Sequence, residues 1–251
     1  LIDRRTIDPN APVPKYFQLR TLLLDLIEDT GLPADAPIPS ERELGRRYEL
    51  SRMTVRQAVD QLVTEGRLYR VPGKGTFVAR AKLDMPLRLV SFTEDMLARG
   101  LRPGARDLAR RTIRADARLS RVFEAPPGTS LHVVERLRTA DGEPMAIERA
   151  HVLAALAPDL LDRRLADRSL YGVLEAVYGV TFDAGDQTID AAIADDEEAG
   201  LLEIPRGSPV LLLRRRSFMA GRCAELAVST YRADRYQLHT TLDVPRPRGA
   251  R

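Results

Sequence analysis

The forty residues from Pro39 to Val78, PSERELGRRYELSRMTVRQAVDQLVTEGRLYRVPGKGTFV, leave this chain few ways to fold. Ser40 followed three residues on by Glu43 is the pattern of a capping box, in which each side chain satisfies the other's backbone at a helix start. The short helix it opens places Leu44 and Tyr48, four apart, on one side. Glu49 and Leu50 form a tight turn, and Ser51 can cap a second helix. There Val55, Ala58, Val59 and Leu62 recur at helical spacing until Gly66 stops the run. The period then changes to two. Leu68 to Val71 and Thr76 to Val78 flank the turn chemistry of Pro72-Gly73-Lys74-Gly75. Two helices across a tight turn, then a hairpin, predict a winged helix-turn-helix.

Arg52, Thr54 and Arg56 fall at the N-terminal end of the second helix, the part that reaches base edges in a major groove. A guanidinium can bond a guanine edge twice, and a hydroxyl serves phosphates or bases. From Arg42 to Arg80 nine cations face four anions, a larger surplus than the +3 of the whole chain. Such a local surplus is the footprint of a nucleic-acid binder. The PSER opening, the SRxTVRxA helix start and the GxGTFV wing resemble the DNA-binding domain of GntR-family bacterial transcription regulators. The resemblance implies DNA contacts from Ser40, Glu41, Arg42, Ser51, Arg52, Thr54, Arg56, Lys74 and Gly75.

A chain of 251 residues allows one large or two medium domains, and 44% apolar content is that of a globular protein. No apolar run approaches the roughly 18 residues that read as a membrane span. No signal-peptide pattern opens the chain. The single cysteine, Cys223, cannot form an intrachain disulfide. These features fit a cytoplasmic protein with no membrane partner.

Residues before Pro14 read as a loose arm, and Lys15 to about Asp29 as a helix carrying Tyr16, Leu19, Leu22, Leu23, Leu26 and Ile27 on one face. Gly31 to Pro39 reads as a loop. The expected domains are 12–79, a linker at 80–86, and 87–245. In the last, the patterns predict a strand over Leu87–Phe92, a helix capped by Thr93, strands over Leu131–Arg138 and Met145–Val152 joined at Asp141-Gly142, and a helix from Ser169 to Gly179. A strand at Thr188–Ile193, a helix capped by Asp195, and strands at Val210–Phe218, Cys223–Tyr231 and Arg235–Val244 follow; Pro245–Arg251 reads as a disordered tail. A faint repeat aligns Glu124-Ala-Pro-Pro-Gly128 with Glu203-Ile-Pro-Arg-Gly207, and Asp141-Gly142 with Ala220-Gly221. It predicts two related halves sharing one antiparallel sheet, with a cleft between them.

The segments SFTEDMLARG, ERLRTADGEPMAIERAHV, SLYGVLEAVYGV and ELAVSTYRADRYQL resemble the UTRA effector domain, whose fold is similar to chorismate lyase. Together the two resemblances imply the HutC branch of the GntR family. The expected fold class is α+β: an N-terminal winged helix-turn-helix plus a chorismate lyase-like domain with a mainly antiparallel sheet. Cys223 and Ala233 stand where proline and glycine are usual, and Leu226 and Val228 replace aromatic and basic types beside Glu225, which puts the pocket's shape in question.

Arg136 and Arg138 alternate with Leu137 and so share one strand face. Two guanidiniums there suit a carboxylate or phosphate, or pair with neighbouring acids. Ser169 is either an anion-binding helix start or a cap alone. The resemblance implies that Arg136, Arg138, Ser169 and Tyr171 bind an effector's phosphate while Glu148, Glu225 and Tyr231 meet a sugar end. Catalysis has little to work with. The three lysines, Lys15, Lys74 and Lys82, lie outside the second domain, and His132, His151 and His239 lack metal-ligand spacing. The reading is a homodimeric, ligand-responsive transcription regulator with no cofactor and no metal, partnered by operator DNA and a small anionic metabolite. A chorismate lyase-like enzyme, or a regulator of a non-phosphorylated carboxylate, is the alternative.

Overall fold

Ser40 and Glu43 close a full capping box: the Ser40 N–H donates to Glu43 Oε2 at 2.8 Å, and the Glu43 N–H to Ser40 Oγ at 3.3 Å. The structure, a computed structural model, describes residues 6–29, 31–80, 82–165 and 168–240. It divides into two units, Leu1–Lys82 and Leu83–Arg251.

In the first unit, α1 (Lys15–Asp29), α2 (Glu41–Arg47) and α3 (Arg52–Thr64) precede an antiparallel hairpin of β1 (Leu68–Val71) and β2 (Gly75–Val78). Leu19, Leu23, Leu44, Val55, Val59, Leu62 and Leu68 form its core. The turn between α2 and α3 depends on Gly45. A Cβ there would lie 3.3 Å from the Leu50 carbonyl, a tight contact that a glycine avoids as the chain doubles back, with Glu49 taking a positive φ of 52°. One expectation changes. Residues 7–13 are tied down, because Gln18 accepts from the Asp8 N–H and donates to the Asp8 and Val13 carbonyls, while Ile7 packs on the core. The loop before Ser40 lines the wing, with Ile38 N–H donating to Thr76 O and Val78 N–H to Ala36 O.

The second unit begins inside the expected linker. β3 (Leu83–Asp84) pairs in parallel with β10 (Tyr236–Gln237), and Met85 is buried. No strand forms over Leu87–Phe92; Leu87 is 59% exposed and the segment has no ladder partner. Ser91, rather than Thr93, caps α4 (Phe92–Ala98), through a second capping box with Glu94. Next come β4 (Pro103–Arg114), α5 (Ala117–Phe123), β5 (Ser130–Ala140), β6 (Glu143–Leu153), a 3-10 turn at Leu160–Asp162 and α6 (Leu170–Tyr178). Then β7 (Ala184–Ile193), α7 (Asp196–Leu202), β8 (Pro209–Met219) and β9 (Arg222–Arg232) lead to β10. The strand expected over Arg235–Val244 is only Tyr236–Gln237; residues 241–244 and the Pro245–Arg251 tail lie outside the described residues.

Six strands form one antiparallel sheet in the order β4-β5-β6-β9-β8-β7. The order is a palindrome of two halves, β4-α5-β5-β6 and β7-α7-β8-β9. Their landmarks stand 79 residues apart throughout: the helix caps Asp116 and Asp195, the left-handed Glu124 and Glu203, and the turn glycines Gly142 and Gly221. Even the ladder irregularities correspond, at Arg138/Thr139 and Ser217/Phe218. The repeat is therefore structural, and its halves meet where β6 pairs with β9. One face of the sheet packs on α5 and α7, through Leu119, Phe123, Ala199 and Leu202. The other lies under α4 and α6, with Val134, Ala150 and Val152 beneath Leu170, Val173 and Leu174.

Candidate functional site

Cross-strand register sets the floor of the cavity beneath α4 and α6. Arg138 lies beside Ala146 and then Tyr231; one row along, Arg136 lies beside Glu148 and then Ser229. Two rows further, Glu225 pairs with Ser217. The start of α4 supplies Phe92 and Thr93, and the start of α6 supplies Ser169 and Tyr171. All seven residues expected to meet an effector, Arg136, Arg138, Glu148, Ser169, Tyr171, Glu225 and Tyr231, line this one cavity, whose volume is ≈ 40 Å³.

The two arginines are satisfied very differently, although each is only 2% exposed. Arg136 Nη2 forms an ion pair with Glu148 Oε1 at 2.5 Å, and Nη1 donates to the Arg168 carbonyl at 3.1 Å. Arg138 Nη2 donates to Thr93 Oγ1 at 2.9 Å, and its guanidinium lies 4.7 Å from the Phe92 ring. Among the described residues no carboxylate comes within ion-pair distance of Arg138, and the Nε atoms of both arginines are buried without a hydrogen-bond partner. Burial, with neighbouring Arg136 adding to it, lowers the Arg138 pKa, against the opposing pull of Glu148.

Two carboxylates share the cavity, and their environments push them apart. Burial alone would raise Glu148, but Arg136 and Arg138 outweigh it and hold the group below the ordinary glutamate value. Glu225 is pushed up to about 7, chiefly by burial. Ser217 and Tyr171 both donate hydroxyls to Glu225 Oε2, at 2.6 and 2.9 Å, and partly offset that rise. Burial likewise raises Tyr231 to about 12. The expected separation into an anion-seeking and a hydroxyl-seeking group is therefore blurred. Glu148 belongs with Arg136, and Tyr171 belongs with Glu225. Ser169 does cap α6, accepting from the Gly172 N–H at 3.1 Å, which leaves its own O–H to donate.

Leu226 and Val228 do not shape the cavity. They alternate with Glu225, Ala227 and Ser229 and point to the opposite face, where they pack with Cys223, Leu119 and Phe123. Sequence patterns missed Thr93, Gln187, Arg215 and Ser217, which also border the cavity or its bonds. The repeat held the signal for two of them, since Arg215 and Ser217 stand 79 residues after Arg136 and Arg138.

On the first unit, Arg52, Met53, Arg56 and Gln57 form the exposed side of α3, opposite buried Val55, Ala58 and Val59. Arg56 is 3.8 Å from Asp60, a loose pair on an exposed face. Arg42, Arg46 and Arg52 border one shallow surface with Ser40 and Gly45, and none has a carboxylate partner among the described residues. Other expected contacts are partly committed elsewhere. Glu41 pairs with Arg70 at 2.8 Å, and the Ser51 and Thr54 hydroxyls bond each other at 2.8 Å. Lys74 and Gly75 sit exposed at the wing turn. Among the described residues no His, Cys, Asp and Glu group could hold a metal, and no helix is long and apolar enough to cross a membrane.

A winged helix-turn-helix joined to a second domain with a polar, arginine-lined cavity defines the class, a transcription regulator. Sequence comparison agrees: residues 15–78 match the bacterial regulatory proteins of the gntR family, and residues 98–237 match the UTRA domain. The chain belongs to the GntR family, in its HutC-like branch, and is a transcriptional repressor of the GntR–UTRA type rather than an enzyme. It is 39% identical over 232 residues to the HTH-type transcriptional repressor NagR of Bacillus subtilis (strain 168), covering 92% of this chain and 95% of that one. It is 29% identical over 229 residues to the histidine utilization repressor of Pseudomonas putida, covering 91% and 92%. The crystal structure of PhnF from Mycobacterium smegmatis superposes with a TM-score of 0.64 at 33% identity, over 89% of this chain and 98% of that one.

Proposed function

We propose that the chain acts in the cytoplasm as a homodimeric repressor on pseudo-palindromic operator DNA, and that a sugar phosphate or amino-sugar phosphate in the UTRA cavity changes its affinity for that DNA. One observation carries the choice of ligand. Among the described residues Arg138 is a buried cation with no carboxylate at ion-pair distance, and a buried charge is costly unless a counter-charge meets it. A phosphate supplies that charge, with Arg136 and the Ser169 hydroxyl as further donors. Glu148, Glu225 and Tyr231 then offer acceptors and a phenol to sugar hydroxyls. For such a ligand to act, it must bind the DNA-free conformation better than the DNA-bound one, by typically ~1–3 kcal/mol.

A thermal-shift panel of sugar phosphates, free sugars and aromatic carboxylates tests the assignment. A ligand at a hundred times its Kd stabilises the folded state by ~2.7 kcal/mol, which such a panel resolves. The sugar phosphates should give the largest shifts; a larger shift from a neutral sugar or an aromatic acid overturns the reading.

On the DNA side, Arg52→Ala and Arg56→Ala should each cost ~1–3 kcal/mol of specific binding. Lys74→Ala should weaken binding evenly across sequences and flatten its salt dependence. Titrating labelled operator and random duplex at several salt concentrations separates the two effects, and unchanged operator affinity in both arginine variants excludes α3 as the reading helix. One wing unit offers little surface, so useful affinity requires two copies. Residues 83–251 alone should therefore sediment as a dimer at micromolar concentration, and a monomer there counts against the assembly.

A further inference from the structure

The 79-residue repeat brings into the cavity a position that strand alternation alone did not single out. Arg215 on β8 occupies the place that Arg136 holds on β5: each stands two residues before the matching ladder irregularity, and each lines the cavity. They flank it from opposite sides, since β5 and β8 are separated by β6 and β9, roughly 14 Å between outer strands at the usual spacing. The repeat kept the guanidinium and lost its acid. The counterpart of Glu148 in the second half is Ala227, which faces Arg215 directly in the ladder.

Arg215 is held by neutral acceptors instead. Its Nε donates to Gln187 Oε1 at 2.9 Å and its Nη1 to the Val90 carbonyl at 3.0 Å. Among the described residues no carboxylate lies at ion-pair distance. The Tyr171 hydroxyl also lies against the guanidinium, and with five N–H donors these contacts still leave capacity for a ligand. Space points the same way. The cavity's ≈ 40 Å³ is well below the roughly 300 Å³ at which small-molecule pockets begin. A groove of ≈ 330 Å³, bordered by Leu89, Gly185 and Ile189, lies beyond Arg215. Pro86, Gln187 and Arg215 border both spaces, so the Arg215–Gln187 bond stands in the partition between them.

We infer that Arg215 is a further ligand-binding residue: a ligand oxygen distal to Arg136 and Arg138 takes the place of the Gln187 amide oxygen on its guanidinium, and in doing so joins cavity to groove. This rests on the reading that phosphate sits at Arg136 and Arg138. The distal group is a neutral oxygen, a sugar hydroxyl or carbonyl. Arg136, Arg138 and Arg215 face Glu148, Glu225 and Asp95, and Asp95 is already paired with Arg99 at 2.9 Å, so one positive charge is left over and a phosphate monoester of about −1.5 to −2 charge more than uses it. A second anion would have no counter-charge left.

The test compares inorganic phosphate with glucose 6-phosphate and glucosamine 6-phosphate on the full chain, by calorimetry. Arg215→Met should weaken the hexose phosphates by about tenfold or more, the loss expected when a charged hydrogen bond is removed, and leave inorganic phosphate within about twofold. Gln187→Glu, which gives Arg215 an internal partner, should produce the same selective loss without deleting the arginine. Equal losses for both probes, or none for either, overturn the inference. Hexose phosphate binding that survives Arg215→Met and Gln187→Glu but is abolished by Arg138→Met overturns Arg215 alone and leaves the phosphate reading standing. Failure of both hexose phosphates to bind the unaltered protein overturns both.

Discussion

Replacing Arg138 with methionine should leave the protein about as stable as before and erase its response to a phosphorylated ligand, whereas the same change at Arg136 should destabilise it. The two residues are the same type, share one strand face and are equally buried, so burial alone predicts the same outcome for both. Their partners differ. Arg136→Met strands Glu148, a buried carboxylate whose ion pair at 2.5 Å is gone, and breaking a buried pair in this way costs ~3–5 kcal/mol. Arg138→Met strands nothing ionised. It gives up one hydrogen bond to Thr93 and a cation–π contact with Phe92, together worth about 1–3 kcal/mol, and it removes the desolvation cost of a cation that has no close counter-ion. Those terms are of similar size and opposite sign.

The ligand response separates further. With Arg138 gone, the ~2.7 kcal/mol of stabilisation expected at a hundredfold over Kd should fall below detection, while operator binding by the intact winged helix persists. Urea unfolding of the second unit, with and without glucosamine 6-phosphate, measures both quantities. A loss of several kcal/mol in Arg138→Met without ligand would make it a structural arginine, and the phosphate site would have to be sought elsewhere.

How much of this was visible in the sequence depends on whether the signal was local. Capping boxes are local: Ser40 with Glu43, and Asp195 with Glu198, place α2 and α7 correctly. Ser91 with Glu94 carries the same signal, but the alternation of Leu87, Leu89 and Ser91 imitates a strand and hides it. β4 is the largest omission, and its residues explain why. Pro103 and Gly104 open it, and four arginines interrupt its apolar pattern. Such a sequence is tolerated because β4 is an edge strand with one side unpaired. The partnership of Glu148 with Arg136 was one of two open possibilities until register set the residues side by side. Which arginine of Arg214-Arg215-Arg216 turns inward was equally hidden. Arg214 and Arg216 pair outside with Asp190 and Asp186, and Arg215 alone of the three faces the cavity. Only the repeat, a non-local signal, pointed to it.

Glu225→Gln should stabilise the second unit at pH 8 and do little at pH 5. The carboxyl is buried, and its native pKa of about 7 lies above the ordinary 4.5. The cause is chiefly desolvation, with the like charge of Glu148 adding to it and Ser217, Tyr171 and Arg215 opposing. For an acid raised in this way the native state binds the proton more tightly than the unfolded chain. The associated stability is fully present below about pH 4.5, is lost as pH rises through about 7, and stays lost above it. A difference of that size corresponds to about 3 kcal/mol at 1.36 kcal/mol per pH unit. Glutamine remains neutral at every pH, and its carbonyl oxygen can still accept from the Ser217 and Tyr171 hydroxyls. The stability difference between variant and parent should thus open between pH 5 and pH 7 and level off near that value. Other groups titrate in both proteins and cancel in the difference, so denaturant unfolding of the pair across pH 5–8 isolates this one residue. A difference that stays constant over the range would mean that Glu225 carries its charge in the folded protein throughout, held by a cation closer than Arg215 stands in the structure.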